Sequence, residues 1–180
     1  IQNQLMMKGD CTGPVSSAFV LKDPTVDFAV LECARGGILK AGLAFQNCEV
    51  AVVTNVAADH MGLGGIHTIE AMAKVKQVVP ETVFPHGYAV LNADDDLVYK
   101  MKNDLKCNIA LFSMDENNPR IKEHAKANGL ACVYENGYVT IMKGTWKIRV
   151  LPARDIPLTY EGKAIHNINN CLPAVLSTYL

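Results

Sequence analysis

Short apolar runs rich in β-branched residues recur along the chain, with amphipathic stretches beside them. Four of these runs predict strands that are buried on both faces of a sheet, at residues 26–32, 48–55, 87–92 and 107–113. The neighbouring stretches predict helices at residues 14–21, 68–79, 93–102 and 119–128. This alternation is typical of an α/β fold in which helices flank a parallel sheet.

The pattern changes near residue 130 to short alternating runs. Residues 130–151 contain two turn signals, Asn136-Gly137 and Lys143-Gly144-Thr145, between alternating apolar and polar positions. This spacing predicts a small antiparallel β unit beside the parallel sheet. A last helix is predicted over residues 166–180.

Composition narrows the class of protein. The chain has 180 residues, of which 49% are hydrophobic and 19% charged, so it can bury a core as one domain. Its net charge of −1 gives no basic surface for nucleic acid, and no apolar run approaches the roughly 18 residues of a membrane span. The six cysteines form no CxxC pair. We therefore expect free thiols in a reducing cytoplasm, with neither a disulfide framework nor a zinc site.

Polar clusters follow three of the predicted strands. Glu32 and Arg35 come after the first, residues 54–60 after the second and residues 92–95 after the third. Ligands of parallel α/β sheets bind at these carboxyl ends, and oxygen ligands near a histidine suit Mg²⁺ or Mn²⁺. Each cluster also has a plain alternative as turn and cap residues. For residues 94–96 that alternative is favoured, because acids complement the dipole at a helix start.

The order of several motifs is more specific than any one cluster. The chain carries, in this order, "VLECARGGILKAGL", "VVTNVAADHMGLGG", "AMAKVK", "VLNADDD" and "GKAIHNINNCLPAVL". This series resembles the central ATPase domain of the Mur ligase superfamily. Within it, the resemblance is greatest to the Mur-ligase-like part of cyanophycin synthetases, and it covers nearly the whole chain.

The resemblance assigns roles to individual residues. It implies that Glu32 ligates a Mg²⁺ ion shared with nucleotide phosphates, and that His60 holds a second metal near an acyl phosphate. It places Asn55 in the loop that lines the same pocket. Lys76 matches a lysine that many members carry as a carbamate, and Lys74 is the alternative. From the residues alone, the alternatives are a surface or core histidine without a ligand role for His60 and a solvated lysine on a helix face for Lys76.

Further residues complete the predicted site. The resemblance implies that Asn167 and Asn170 face the adenine of the nucleotide. The charge of Arg35 can offset the charge that builds as a carboxylate attacks a phosphoryl group. An ion pair that only holds the turn is the alternative for Arg35. Gly36 and Gly37 would let the backbone approach phosphates or substrate closely.

The resemblance implies an ATP-dependent amide ligase that uses ATP and Mg²⁺ and forms an acyl phosphate. In cyanophycin synthetases this part adds arginine to aspartate side chains of a poly-aspartate polymer, and we expect the full-length protein to be a homo-oligomer. One alternative is another Mur- or folylpolyglutamate-type ligase with a peptide-like acceptor. Others are a nucleotide-binding module or a structural domain, and Glu32, His60 and Lys76 together count against both.

The phosphate loop of the family, G-x-x-x-x-G-K-[ST], does not occur in these 180 residues. In the family it precedes the "MKGD" region, here residues 7–10, and a further domain follows the central one. We therefore expect residues 1–180 to be a fragment of one central domain, with the phosphate-loop region and the carboxyl-terminal domain outside it. We also expect the fragment to be inactive by itself.

Overall fold

The computed structural model describes residues 1, 4–6, 8–9, 11–58 and 62–180. Within these residues the strands form a six-stranded sheet in chain order. The strands are β1 (Cys48–Val53), β2 (Val83–Asn92), β3 (Asn108–Ser113), β4 (Leu130–Glu135), β5 (Tyr138–Lys143) and β6 (Trp146–Pro152). The α-helices are α1 (Pro14–Leu21), α2 (Arg35–Ala41), α3 (Ile69–Glu81), α4 (Asp96–Lys100), α5 (Pro119–Lys126) and α6 (Ile165–Tyr179).

Strands β1 to β4 run parallel, which confirms the predicted parallel sheet. Strands β4, β5 and β6 are antiparallel, as the turn signals predict. The antiparallel unit is continuous with the parallel sheet, because β4 pairs with β3 on one side and with β5 on the other. The sheet therefore changes from parallel to antiparallel at a single shared strand.

Helices cover both faces of the sheet, because successive strand residues point to opposite sides. One core joins the strands to α3, α4 and α5 and includes Leu91, Met72 and Ile121. The other core joins the strands to α6 and includes Val90 and Leu172. In the described part of the chain, every helix is too short or too polar to cross a membrane.

The strand predicted over residues 26–32 is wrong. These residues form bends and extended chain, and residues Phe28 and Val30 are 81% and 88% exposed. The segment follows a turn in which the Asp23 carboxylate accepts hydrogen bonds from the Thr25 amide and hydroxyl. A β-branched run becomes a strand only where a neighbour completes its hydrogen bonds, and none of the described strands does so here.

Helix α2 is not predicted by the pattern, because adjacent glycines are typical of a turn. Its Gly37 lies against the start of α1: a Cβ atom there would come within 3.1 Å of Gly13 Cα and of Pro14 Cδ. The close approach that Gly37 permits is thus between two segments of the protein backbone. Around Gly36 a Cβ would meet no atom within 4 Å.

Candidate functional site

The loops after β1 and β2 are hydrogen-bonded into one edge of the sheet. The side-chain amide of Asn92 donates to the Thr54 carbonyl at 2.7 Å, and the Val56 amide donates to the Asp95 carboxylate at 2.7 Å. Asp95 also caps α4 by accepting from the backbone amides of its first turn. The carboxyl ends of these two strands therefore meet, as expected for a parallel sheet.

The neighbouring acids serve the fold, which confirms the plain alternative for residues 94–96. Asp94 accepts hydrogen bonds from the Ser113 hydroxyl at 2.6 Å and from the Asn118 side-chain amide at 2.8 Å. Asp96 pairs with Arg120, and the hydrogen bond from that guanidinium lowers the pKa of the Asp96 carboxyl. The carboxylates of Asp94 and Asp96 therefore bond to other side chains of the same domain.

Lys76 contacts the loop that follows β1. Its Nζ atom, on α3, donates to the backbone carbonyl of Asn55 at 2.7 Å. The structure therefore brings together two residues that the family resemblance assigns to one pocket. Lys74 is exposed on the same helix, so Lys76 is the lysine of the pair whose amine contacts this loop.

Glu32 precedes α2 and borders a cavity of about 270 Å³. Most of the lining is apolar and includes Leu5, Phe19 and Val30. The Glu32 carboxylate is exposed and has no hydrogen bond or ion pair with the residues that the structure describes. An accessible anionic oxygen of this kind fits a hard cation such as Mg²⁺. Arg35, the first residue of α2, is half-buried.

Helix α2 connects the Glu32 segment to the helix that carries Lys76, since α2 contacts α3. The loop after residue 61 also returns to α2, because a Cβ on Gly64 would lie 3.1 Å from Leu39 Cδ1. His60 lies outside the described residues, so its role as a metal ligand stays a prediction. Within the described ranges, no group of three or more His, Cys, Asp or Glu side chains could hold a metal ion.

Helix α6 places its first residues at the same edge of the sheet. At its other end, the Tyr179 ring lies 6.3 Å from the Trp146 ring, centroid to centroid. Trp146 is opposite Lys143, which is opposite Leu130, the first residue of β4. The end of α6 is therefore at the amino end of the parallel strands, and its beginning points toward their carboxyl ends.

Asn167 and Asn170 lie in the first turns of α6. The side-chain amide of Asn167 donates to the Leu158 carbonyl, and Asn170 is exposed. Because α6 and α3 cover opposite faces of the sheet, the structure does not bring these amides into contact with Lys76. Of the described site residues, Lys76 and Asn55 thus lie on one face at this edge, and Asn167 and Asn170 lie on the side of the other face.

Comparison with known proteins identifies the family. The family model described as "Mur ligase middle domain" matches residues 9–178. The chain belongs to the Mur ligase family. This confirms the resemblance inferred from the motifs, and the family is consistent with the observed α/β fold.

The relatives of this Mur ligase domain are ligases. It is 56% identical over 180 residues to a cyanophycin synthetase of Synechocystis sp. The aligned region is 100% of this chain and 21% of that protein. A cyanophycin synthetase of Nostoc sp. is 50% identical over 180 residues, 100% of this chain and 20% of its own length. A UDP-N-acetylmuramate–L-alanine ligase of Acetivibrio thermocellus is 33% identical over 177 residues, 87% of this chain and 34% of its own. The chain spans about a fifth of the length of the cyanophycin synthetases that it matches.

Sequence reasoning missed one buried ionic cluster of this Mur ligase domain. The carboxylate of Glu135, at the end of β4, is buried and pairs with Lys147 and, at 3.6 Å, with Arg149. The hydrogen bond from Lys147 lowers the pKa of Glu135. Because Glu135 lies in a run of alternating polar and apolar residues, the sequence could have indicated that its side chain points into the protein. Its two ion-pair partners lie on β6, and no local sequence pattern connects them to Glu135.

Proposed function

We propose that this Mur ligase domain is part of an ATP-dependent amide ligase with the chemistry of a cyanophycin synthetase. A side-chain carboxylate of a poly-aspartate acceptor would receive the terminal phosphoryl group of ATP. The amino group of arginine would then attack the acyl phosphate and release inorganic phosphate. The observation that carries the proposal is the 56% identity over the whole chain to a protein of that name.

The alternatives have weaker support. The muramate–alanine ligase, a Mur-type enzyme with a different substrate, is only 33% identical. A module that binds nucleotide without ligase chemistry would have no need of a second metal site, which is the role proposed for His60. The ligase class therefore rests on the family, and the choice of arginine and poly-aspartate rests on the cyanophycin synthetases.

ATP and Mg²⁺ are the proposed cofactors. Glu32 would hold Mg²⁺ through its exposed carboxylate, and His60 would hold a second metal ion near the acyl phosphate. When bound, Mg²⁺ offsets the negative charge of the phosphate oxygens. Lys76, whose Nζ contacts the Asn55 carbonyl, would be the catalytic lysine that many family members carry as a carbamate, with Lys74 as the alternative. Arg35 would offset the charge of the acyl phosphate, since it begins α2 three residues after Glu32.

Asn167 and Asn170 would contact the adenine from the other face of the sheet. We also propose that residues 1–180 are one central domain without its phosphate loop, which would belong to another part of a longer, homo-oligomeric protein. The share of about a fifth that the chain covers in its cyanophycin synthetase relatives supports this arrangement.

Substitution of Glu32 in the full-length protein tests the proposal. Glu32→Gln keeps the size of the side chain but removes its charge, and should lower kcat for ATP-dependent addition of arginine to poly-aspartate at least about a hundredfold. Glu32→Ala should do the same. Glu123→Gln, an equally conservative change on the exposed surface of α5, should leave kcat unchanged.

Two results would contradict parts of the proposal. Near-normal turnover by Glu32→Gln at saturating Mg²⁺ and ATP would exclude Glu32 as the metal ligand. A wild-type enzyme that joins a different amino acid to a different acceptor would leave the ligase class intact and overturn the choice of substrates.

A further inference from the structure

The asparagine that ends β2 uses both ends of its side-chain amide. Asn92 is only 4% exposed. Its nitrogen donates to the carbonyl of Thr54, the first residue after β1, at 2.7 Å, and its oxygen accepts from the Asp94 amide at 2.8 Å. The first bond reaches a loop 38 positions earlier in the chain, and the second fixes the amide within its own loop. One buried side chain thus joins the loops after β1 and β2.

Three consecutive residues of the loop after β1 are held in the same way. In each case a side chain from a different part of the fold bonds to the loop backbone. The three pairs are Asn92, from β2, with the Thr54 carbonyl, Lys76, from α3, with the Asn55 carbonyl, and Asp95, the cap of α4, with the Val56 amide. Contacts from three separate elements therefore fix the path of this loop.

The bonds to the backbone leave two side chains of the loop open to solvent. Thr54 and Asn55 are exposed, whereas Val56 is buried in the core that includes α3. The loop lies at the carboxyl ends of the parallel strands, where ligands of α/β proteins bind. Since the Val56 side chain already attaches the loop to the core, the polar bonds add precise placement of its backbone. Groups that act in catalysis need placement to within about 0.5 Å.

We propose that Asn92 is a positioning residue of the ligase reaction. It acts through the loop after β1, which contains Asn55 and contacts Lys76. This inference rests on the proposed function, since that function makes Asn55 and Lys76 part of the reaction site. A misplacement of about 1 Å can cost about a hundredfold in rate, even when its cause is remote from the reacting atoms. Loss of the Asn92 bond should therefore lower kcat and leave KM for ATP nearly unchanged.

The main test is Asn92→Asp in the full-length protein. The new side chain has the size of the old one and keeps the oxygen that accepts from the Asp94 amide, but an ionised carboxylate cannot donate to the Thr54 carbonyl. The measurement is kcat per folded molecule for ATP-dependent addition of arginine to poly-aspartate, with the folded fraction taken from circular dichroism at the assay temperature. We expect kcat to fall at least about tenfold, with KM for ATP within about threefold of wild type.

Two control variants separate positioning from stability. Asn108 begins β3 at the opposite edge of the sheet, and its side-chain amide donates to the carbonyls of His86 and Gly87 at 3.0 Å and 3.2 Å. Asn108→Asp therefore makes the same chemical change at the same kind of contact between neighbouring strands. Ile141→Ala opens a cavity in the core against α6 and lowers stability without a change in either loop. Both controls should keep the wild-type kcat per folded molecule.

Two further measurements do not depend on the main variant's turnover. Hydrogen exchange of residues 54–58 should be faster in Asn92→Asp than in wild type and unchanged in Asn108→Asp. Asp95→Asn removes the acceptor of the Val56 amide, while its remaining side-chain oxygen can still cap α4. This second variant should also lower kcat with little change in KM for ATP.

Each outcome supports or overturns the inference. Wild-type kcat per folded molecule in Asn92→Asp, or an equal fall in Asn108→Asp or Ile141→Ala, would overturn it and leave the proposed function intact. Unchanged hydrogen exchange of residues 54–58 in Asn92→Asp would also overturn it. A full-length wild type that does not ligate would overturn the proposed function and the inference with it. If Asn92→Asp does not fold, Asp95→Asn decides by the same kinetic measurements.

Discussion

Two regions of the molecule contain similar apolar runs but bury them differently. In the sheet region, residues 48–180, Val90 and Phe112 are completely buried between strands and helix α6. In the amino-terminal segment, residues 11–45, Phe28 and Val30 are mostly exposed. The difference lies in hydrogen-bond partners, because β2 and β3 each have a strand on both sides, whereas residues 26–32 have none among the described strands. A β-branched run is buried only where neighbouring strands complete its backbone hydrogen bonds.

The largest contrast that we expect is between folding and catalysis in the 180-residue chain by itself. The sheet region should fold, with circular dichroism of a mixed α/β protein. The chain should neither hydrolyse ATP nor ligate amino acids, because it contains no phosphate loop and its "MGLGG" run, residues 61–65, has no lysine after the glycines. Assays of phosphate release and of amino-acid ligation should stay at background, and calorimetric titration with ATP and Mg²⁺ should show no binding at micromolar concentration; turnover or micromolar binding would contradict the prediction.

A matched pair of phenylalanine substitutions tests the comparison directly. Phe112→Ala should lower the free energy of unfolding by about 3–5 kcal/mol, because it opens a cavity in the core against α6. Phe28→Ala should change it by less than about 0.5 kcal/mol, because the ring is mostly exposed. Urea denaturation of both variants provides the measurement. Similar losses in the two variants would show that Phe28 is also buried in solution.

A pair of glycine substitutions compares how closely the backbone is packed in the two regions. A Cβ at Gly87 would lie 2.3 Å from the Glu49 carbonyl oxygen across the β1–β2 pair. Gly87→Ala should therefore lower the free energy of unfolding by about 1–3 kcal/mol. Gly36→Ala in α2 meets open space and should leave it unchanged or raise it by up to about 1 kcal/mol. Thermal unfolding of the two variants would contradict this if their changes had the same sign and size.

The smallest effect that we expect is a dependence of stability on pH within the sheet region. Burial lowers the pKa of His124, whose Nε2 lies 3.1 Å from the Leu130 carbonyl. The folded state thus binds a proton less readily than the unfolded chain does. The contribution of His124 is complete above its unfolded pKa of about 6.5 and is lost as the pH falls below that value.

Replacement of His124 isolates this contribution. We expect the free energy of unfolding of wild type to fall between pH 7.5 and pH 5 more steeply than that of His124→Gln, with both values taken from urea denaturation. Parallel pH profiles would show that His124 titrates alike in the folded and unfolded chains.

The local pattern of apolar and polar residues is sufficient to predict a strand where that strand pairs with the next strand along the chain. The runs that became β1, β2 and β3 were predicted because each is apolar, β-branched and followed by a helix. Residues 26–32 have the same composition, but burial depends on a neighbouring strand that local sequence cannot supply. Helix α2 was missed because Gly37 serves a close contact with Gly13 that lies 24 positions away in the chain.

The candidate site was predictable in part for the same reason. Carboxyl ends of parallel strands converge, so the proximity of the loops after β1 and β2 follows from topology. The hydrogen bond between Lys76 and Asn55 depends on the rotation of α3, which spacing does not determine.

The single shared strand β4 and the chain order of the sheet also have a consequence for biosynthesis. Each described strand after β1 pairs with the strand made just before it, so the sheet can be extended one strand at a time as the polypeptide leaves the ribosome. Helix α6, which packs against strands β1 to β5 on one face, is made after all six strands. Val90 and Phe112 therefore face water until Leu172 and Leu176 arrive. The nascent domain is most exposed to chaperones and to aggregation during that interval.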